Sequence, residues 1–320
     1  MNQKLPLAVY YEHPEWFRPL FAELDRRAIQ YVRVVAVASG VDAIASDRRF
    51  GLFFNRMSAS AYLRGNAQSI FFTRDYLAHL ERVGTRVING CKAFSLEISK
   101  ASQLVLLHSL GLATPRSRIV NCAIQVASAA QEIGFPVIVK PNVGGRGAGI
   151  MRFDSARELE GAAAAGDIDF GIDNTALVQE FLPLRGGHIT RVETLGGKFL
   201  YGIKIYTSGE NFNLCPAEIC RTGDGASTAN TMGLVDAPKA GLKVERYMPP
   251  QEIINAVEKI VGAAQIEVGS VEYLTDDRDG RVVYYDINAL SNFVANGPQV
   301  LGFDPHVRLV DYLEEKKEGA

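Results

Sequence analysis

Lys140 ends an apolar run, Phe135-Pro-Val-Ile-Val-Lys140, and opens a loop that carries Gly144, Gly145, Gly147 and Gly149. Glycines accept positive φ and can turn backbone N–H groups toward an anion, so this stretch has the makings of a phosphate-holding lid. On its residues alone it serves equally as a plain hairpin loop. A second group is acidic: Glu272 in one strand-like run, Asp286 and Asn288 in the next. Period two sends Asp286 and Asn288 to one face of their strand. Two carboxylates and an amide offer oxygen only, which suits Mg²⁺ and substrate phosphates. Val271, Val283 and Ile287 beside them are apolar, which points the acids inward, where they need a metal or a partner. Arg56 closes a third short run, Leu52 to Asn55. There it either meets a ligand at the end of an open α/β sheet or makes a surface ion pair.

Positioning these groups takes several blocks of structure. Leu5 to Tyr10, Phe17 to Gln30 and Tyr31 to Val37 read as β-α-β, and a helix from Thr73 to Val83 and a short strand from Arg86 follow. The Gly-x-Gly-x-x-Gly turn of a dinucleotide site is absent. Helical periodicity runs from Ser95 to Leu110 and stops at Gly111. The next stretch, from Ile124 through Val178 to Pro183, reads as a compact β-α-β-β-α-β unit with the glycine loop at its edge. Beyond it, Ile189 to Leu195 and Lys198 to Tyr206 flank Gly196-Gly197 as a hairpin. A long polar segment from Thr207 to Val235 is read as a functional loop, and Glu252 to Ala264 and His306 to Leu313 as helices. The final Glu-Glu-Lys-Lys-Glu reads as a solvated tail.

The 320 residues carry 34 Lys and Arg against 36 Asp and Glu, so no global field recruits nucleic acid or an anionic membrane. No run approaches a membrane span and no signal-like start is present, which makes the cytoplasm the expected location. Cys91, Cys122, Cys215 and Cys220 are too scattered for a disulfide framework and are read as free thiols. No Ser-His-Asp or Cys-His arrangement suggests a side-chain nucleophile.

The order of these parts resembles the ATP-grasp superfamily, and within it the RimK-type (alpha-L-glutamate ligase-like) carboxylate–amine ligases. The resemblance rests on Ser99-Lys100 heading a helix that ends in Leu110-Gly-Leu-Ala-Thr-Pro115, and on Phe135 to Pro141 with its glycine loop. Val178-Gln-Glu-Phe-Leu-Pro183, Arg191-Val-Glu-Thr-Leu-Gly-Gly-Lys198, Glu272 and Asp286-Ile-Asn288 complete it. It implies an α/β fold of α+β lobes: a Rossmann-like N-terminal lobe at 1–94, a central lobe with a glycine-rich lid at 95–183, and a metal-binding C-terminal lobe at 184–320.

By the same resemblance, Lys100 and Lys140 hold ATP phosphates under Gly144, Gly145 and Gly147, while Gln179, Glu180, Phe181 and Leu182 line the adenine. Glu272, Asp286 and Asn288 carry Mg²⁺, two ions in the family, with Mn²⁺ as a substitute. Arg191 stabilises the transferring phosphoryl group or the tetrahedral intermediate. The family's aspartate two residues before that arginine is Ile189 here, which brings His188 forward as a replacement contact. Asn213 is a further nucleotide candidate, and Arg56 and Arg221 are substrate candidates. The implied reaction joins a small-molecule or peptide carboxylate to an amine with release of ADP and phosphate. An ATP-grasp kinase, a thiol ligase and a non-catalytic nucleotide-binding module are the alternatives, and a homo-oligomer stays open.

Overall fold

The computed structural model describes residues 5–206 and 243–318. Asn213, Arg221, Cys215, Cys220 and the long loop from Thr207 to Val235 therefore lie outside the described residues.

The chain opens with β1 (Leu7–Tyr11), α1 (Arg18–Arg26), β2 (Tyr31–Val35), β3 (Leu52–Arg56), α2 (Ala67–Arg82) and β4 (Arg86–Ile88). The strands form a parallel sheet in the order β2-β1-β3-β4. Strand β1 is apolar along its whole length because both its faces are covered. Leu7, Val9 and Tyr11 enter one core cluster with α1, while Ala8 and Tyr10 enter another with α2.

Two short helices follow, α3 (Cys91–Glu97) and α4 (Lys100–Ser109), where periodicity alone had suggested one. Ser99 breaks the run. Its backbone is extended and its hydroxyl accepts from the N–H of Ser102 at 3.1 Å, so a new helix begins with Lys100 as its first residue. The apolar stripe had hidden this boundary, because Leu96 and Leu107 bury in one core on either side of it.

The next sheet comprises β5 (Ser117–Val120), β6 (Val137–Pro141), β7 (Met151–Phe153) and β8 (Ala176–Glu180), with α5 (Ala123–Ile133) and α6 (Ala156–Ala165) packed on it. It is antiparallel in the order β5-β8-β6-β7, so the glycine loop joins its edge hairpin. The third sheet is β9 (His188–Leu195), β10 (Lys198–Tyr206), β11 (Val244–Tyr247), β12 (Val268–Thr275) and β13 (Val282–Asn288), antiparallel in the order β11-β10-β9-β12-β13. Helix α7 (Gln251–Ala264) covers one face, and α8 (Gly297–Leu301) and α9 (Pro305–Glu318) end the described chain. Gly196 and Gly197 both take positive φ, 61° and 72°, as the two-residue turn between β9 and β10 requires.

Two further boundaries differ from the sequence reading. Helix α2 begins six residues before Thr73, because Ser69 and Ile70 extend its buried stripe. The acidic–basic tail is the end of α9: Leu309, Val310 and Leu313 bury against the first lobe, and Arg27 reaches Asp311 and Glu314 at 2.7 and 2.9 Å. The sheets change between β4 and β5 and again between β8 and β9. Helices α3 and α4 share their core with α7 and the β12–β13 hairpin, so lobe limits at 94/95 and 183/184 are a proposal about the chain, with α3 running through the first of them. Among the described residues no helix is long and apolar enough to cross a membrane.

Candidate active site

A cavity of about 530 Å³ lies where the three sheets meet. Two segments that follow strands of the parallel sheet reach it, Trp16 after β1 and Ser58 and Ser60 after β3, at the carboxyl ends where open α/β sheets place their ligands.

The third sheet supplies the charged floor. Glu272 on β12 and Asp286 on β13 are directly paired across the hairpin and both line the cavity, as does Asn288. Lys100 enters from the first residue of α4 and places its Nζ 2.5 Å from Asp286 Oδ1. Helix α4 is held over the hairpin by Gln103, whose amide donates to Ile287 O at 2.8 Å and accepts from Ile287 N at 3.1 Å. Asn142 ties its first turn to the end of β6, accepting at Oδ1 from Ala101 N at 2.9 Å. Burial alone would lower the Lys100 pKa, but attraction to Asp286 outweighs it and the amine is held above its usual value. Glu272 moves the other way for an acid: burial and the neighbouring Asp286 push it up to about 7, despite a Tyr285 hydroxyl donating to its Oε2 at 2.9 Å.

Lys140, the penultimate residue of β6, is the second lysine on the wall. Burial, with Lys100 adding repulsion, pulls its pKa down to about 7. Above it the glycine loop lies against the first lobe: a Cβ on Gly145 would meet Ser60 Cβ at 3.0 Å, and one on Gly144 would approach Lys100 Cε at 3.8 Å. Positive φ falls on Arg146, Gly147 and Gly149. At Gly149 (φ 71°) a Cβ would also strike Asp169 and Pro141 at 2.7 and 2.8 Å, so that position needs glycine twice over. The loop joins the β6–β7 hairpin and lines the cavity.

The cavity also has an apolar slot in its lining, formed by Ile138, Leu182, Leu184 and Leu274. Gln179 and Phe181 reach it too, and Gln179 Oε1 is buried without a hydrogen-bond partner. Glu180 is 4% exposed, and its carboxylate is anchored by the N–H of Arg116 at 2.8 Å and by Arg278 at 3.3 Å. The Arg152 guanidinium lies 4.1 Å from the centre of the Phe181 ring.

Arg191 on β9 completes the site. Its Nε donates to Glu193 Oε1 at 2.8 Å, one nitrogen donates to the Ser291 hydroxyl at 2.5 Å, and another lies 3.6 Å from Glu272 Oε1. Burial opposes its charge, yet Glu193 and Glu272 hold its pKa above the usual value. Period two along β9 turns Ile189 and Arg191 to the cavity and His188 away from it. The His188 ring sits beside Tyr206, 5.1 Å between centres, and its Nδ1 is 3.1 Å from Gly186 O. Arg56 does not line the cavity either. It is 4% exposed and donates to the carbonyls of Ala289 and Ser291 at 3.5 and 2.5 Å, so it holds the segment after β13 in place of gripping a substrate carboxylate. Glu193, Ser291 and Glu97 went unread as site residues. Glu193 leaves a signal in the sequence, two positions from Arg191 on the same strand face.

No family model matches the chain. The carbamoyl phosphate synthase large chain of Thermotoga sp. (strain RQ2) is 27% identical over 215 residues, which is 65% of this chain and 18% of that protein. The chain thus spans under a fifth of the length of this relative. A probable alpha-L-glutamate ligase 2 of Pseudoalteromonas atlantica is 26% identical over 150 residues, 47% of this chain and 49% of the relative. Among solved structures, the ATP-grasp ligase PsnB in complex with a minimal precursor superposes with a TM-score of 0.66 at 18% identity, covering 98% of this chain and 99% of that one. The chain has the ATP-grasp fold. A RimK domain ATP-grasp protein from Sphaerobacter thermophilus shares it, with a TM-score of 0.64 at 18% identity over 96% of this chain and 99% of the other. The ATP-grasp fold accounts for the division seen here, with the glycine hairpin on one sheet facing the acidic hairpin on another.

Proposed function

We propose that this protein is an ATP-dependent carboxylate–amine ligase. The observation that carries the reading is the convergence of Lys100, Lys140, Arg191, Glu272, Asp286 and Asn288 on one cavity. A substrate carboxylate oxygen attacks the γ-phosphorus of ATP, the bond to the β,γ-bridging oxygen breaks, and ADP leaves. An amine then adds to the acyl phosphate, loses a proton, and expels phosphate to leave an amide. Chemistry of this kind is positioning and charge stabilisation. Lys100 and Lys140 would meet the phosphates, Arg191 the charge that grows on the transferring phosphoryl group, and the apolar slot by Leu182 and Leu274 the adenine.

The donor set fits Mg²⁺. Glu272 and Asp286 are inward-facing acids close enough for one to raise the pKa of the other, an arrangement a divalent cation relieves, and all the available donors are oxygens. When bound, the ion would screen the triphosphate's charge. No cluster of three or more His, Cys, Asp or Glu suited to a metal occurs among the described residues, so its remaining ligands would be phosphate oxygens and water. Arg116 and Arg278 anchor Glu180, leaving the Gln179 amide as the polar group of the slot.

The substrates we infer are an amino acid, a peptide or another small carboxylate, with an amine as acceptor, in the cytoplasm. The named relatives support this class: one is a probable glutamate ligase and another structure is a ligase holding a precursor peptide. The test is amine-dependent release of ADP across a panel of amino acids and dipeptides. Glu272→Gln and Asp286→Asn should each lower it about 10³-fold. Unchanged rates in both variants would remove the metal assignment, and release of AMP with pyrophosphate would remove the acyl phosphate.

A further inference from the structure

Arg191 is not held as a lone guanidinium. Its Nε donates to Glu193 Oε1, its terminal nitrogen donates to Ser291 Oγ, and Ser291 Oγ donates in turn to the same Glu193 oxygen at 2.5 Å. The three hydrogen bonds close a ring that involves one edge of the guanidinium, and the remaining nitrogen faces Glu272. Every member is buried: Arg191 is 5% exposed, Glu193 and Ser291 are fully enclosed. Ser291 is itself fixed from below, since Arg56 donates to its carbonyl at 2.5 Å, and the N–H groups of Ala289 and Leu290 donate to Glu97 at 2.7 and 3.1 Å.

Glu193 is a costly residue at this place. Its second oxygen is buried with no hydrogen-bond partner, and it does not line the cavity, so it neither touches a ligand nor satisfies itself fully. A buried carboxylate kept on those terms needs a reason beyond stability, since an apolar side chain of similar volume commonly replaces a buried ion pair without loss.

We propose that Glu193 and Ser291 are positioning residues: together they fix the plane of the Arg191 guanidinium so that its remaining nitrogen stays beside Glu272 on the cavity, where the phosphoryl group would react. The inference rests on the ligase reading for its catalytic consequence, while the pinning itself is independent of that reading. A guanidinium free to rotate about its last two torsions would have to be ordered in each turnover. One held by the ring is already in place when charge develops. The ring also explains why Arg56, on the first sheet, reaches across to the segment after β13: it holds the serine that holds the arginine.

The experiment pairs a spectroscopic measurement with kinetics on the full chain. Arginine side chains are labelled with ¹⁵N, and the Nε–Hε signal of Arg191 is assigned by its loss in Arg191→Lys. The wild type should give a slowly exchanging signal that exchanges at least about tenfold faster in Glu193→Gln, which trades a charged acceptor for a neutral one, and in Ser291→Ala, which opens the ring. In the same variants, kcat for amine-dependent ADP release should fall about 10²-fold for Glu193→Gln and about tenfold for Ser291→Ala, with KM values and MgADP affinity unchanged. The double variant should be no worse than Glu193→Gln, because residues that act through one ring are not additive. Should Glu193→Gln fail to fold, Ser291→Ala carries the test, since it removes only a hydroxyl. An exchange rate unchanged from wild type in both variants, or wild-type kcat in both, would overturn the proposal. A wild type that shows the pinned signal but ligates nothing would overturn the ligase reading and leave the ring standing.

Discussion

Lys100 and Lys140 share one cavity and both are buried, yet their environments drive them apart. Lys100 sits 2.5 Å from Asp286 and is held charged; Lys140 has no acid in ion-pair range among the described residues, and burial beside Lys100 brings it down to about 7. The difference lies in the counter-ion. On the Lys100 side the protein carries its own, so the charge is arranged before any ligand arrives. On the Lys140 side the counter-ion is left to the ligand. A site built this way keeps one lysine beside the acidic hairpin and leaves the other open to an anion, which suits a metal–polyphosphate complex.

Removing either amine breaks the comparison most directly. Lys100→Met and Lys140→Met should each reduce amine-dependent ADP release by about 10²- to 10³-fold, since both lysines would contact the transferring charge. Initial rates at saturating MgATP check this, and a variant that keeps its rate takes that lysine out of the phosphate site. Similar losses of activity would hide opposite effects on the fold, and thermal or urea unfolding of the ligand-free protein separates them. Lys100→Met leaves Asp286 beside Glu272 without its partner and should destabilise by about 1–3 kcal/mol, less than for a fully buried pair because both side chains keep 16% exposure. Lys140→Met removes an amine that burial already disfavours and should be neutral or stabilising, by about 1 kcal/mol or less. Equal destabilisation by the two would mean that Lys140 has an internal counter-ion after all.

How far this contrast was legible follows from distance along the chain. Lys140 and the glycine loop are contiguous, and Glu272, Asp286 and Asn288 lie on neighbouring strands whose period gives their facing, so local pattern sufficed. The helix that Lys100 heads was legible from the resemblance and not from periodicity, because one apolar stripe ran through Ser99 and concealed the cap. Arg56 and His188 show the limit. Arg56 bonds carbonyls more than 230 residues away, and no local pattern tells an arginine that grips a ligand from one that grips a distant backbone. His188 was raised by a substitution in a motif, while the strand's own alternation sent it to the opposite face from Arg191.

The smallest effect probes the difference most finely. With the free Lys140 pKa near 7, the amine is mostly neutral at pH 8, and a bound phosphate would raise that pKa and draw a proton in. The sign follows: a group whose pKa is higher in the complex takes up protons on binding, and affinity weakens as pH climbs above the free value. Titration calorimetry of MgADP binding at pH 8, in buffers of different ionisation enthalpy, should show wild-type uptake of up to about 0.9 proton more than Lys140→Arg, and at pH 6 the two should nearly coincide. Lys140→Arg keeps the positive charge and loses the titration, so the nucleotide's own proton equilibria are common to both proteins and cancel in the difference. Lys100→Arg should leave the uptake in place, because the Lys100 amine is already charged before the nucleotide arrives. Loss of the uptake in Lys100→Arg and not in Lys140→Arg would reverse the roles of the two lysines and, with them, the reading of which wall waits for the anion.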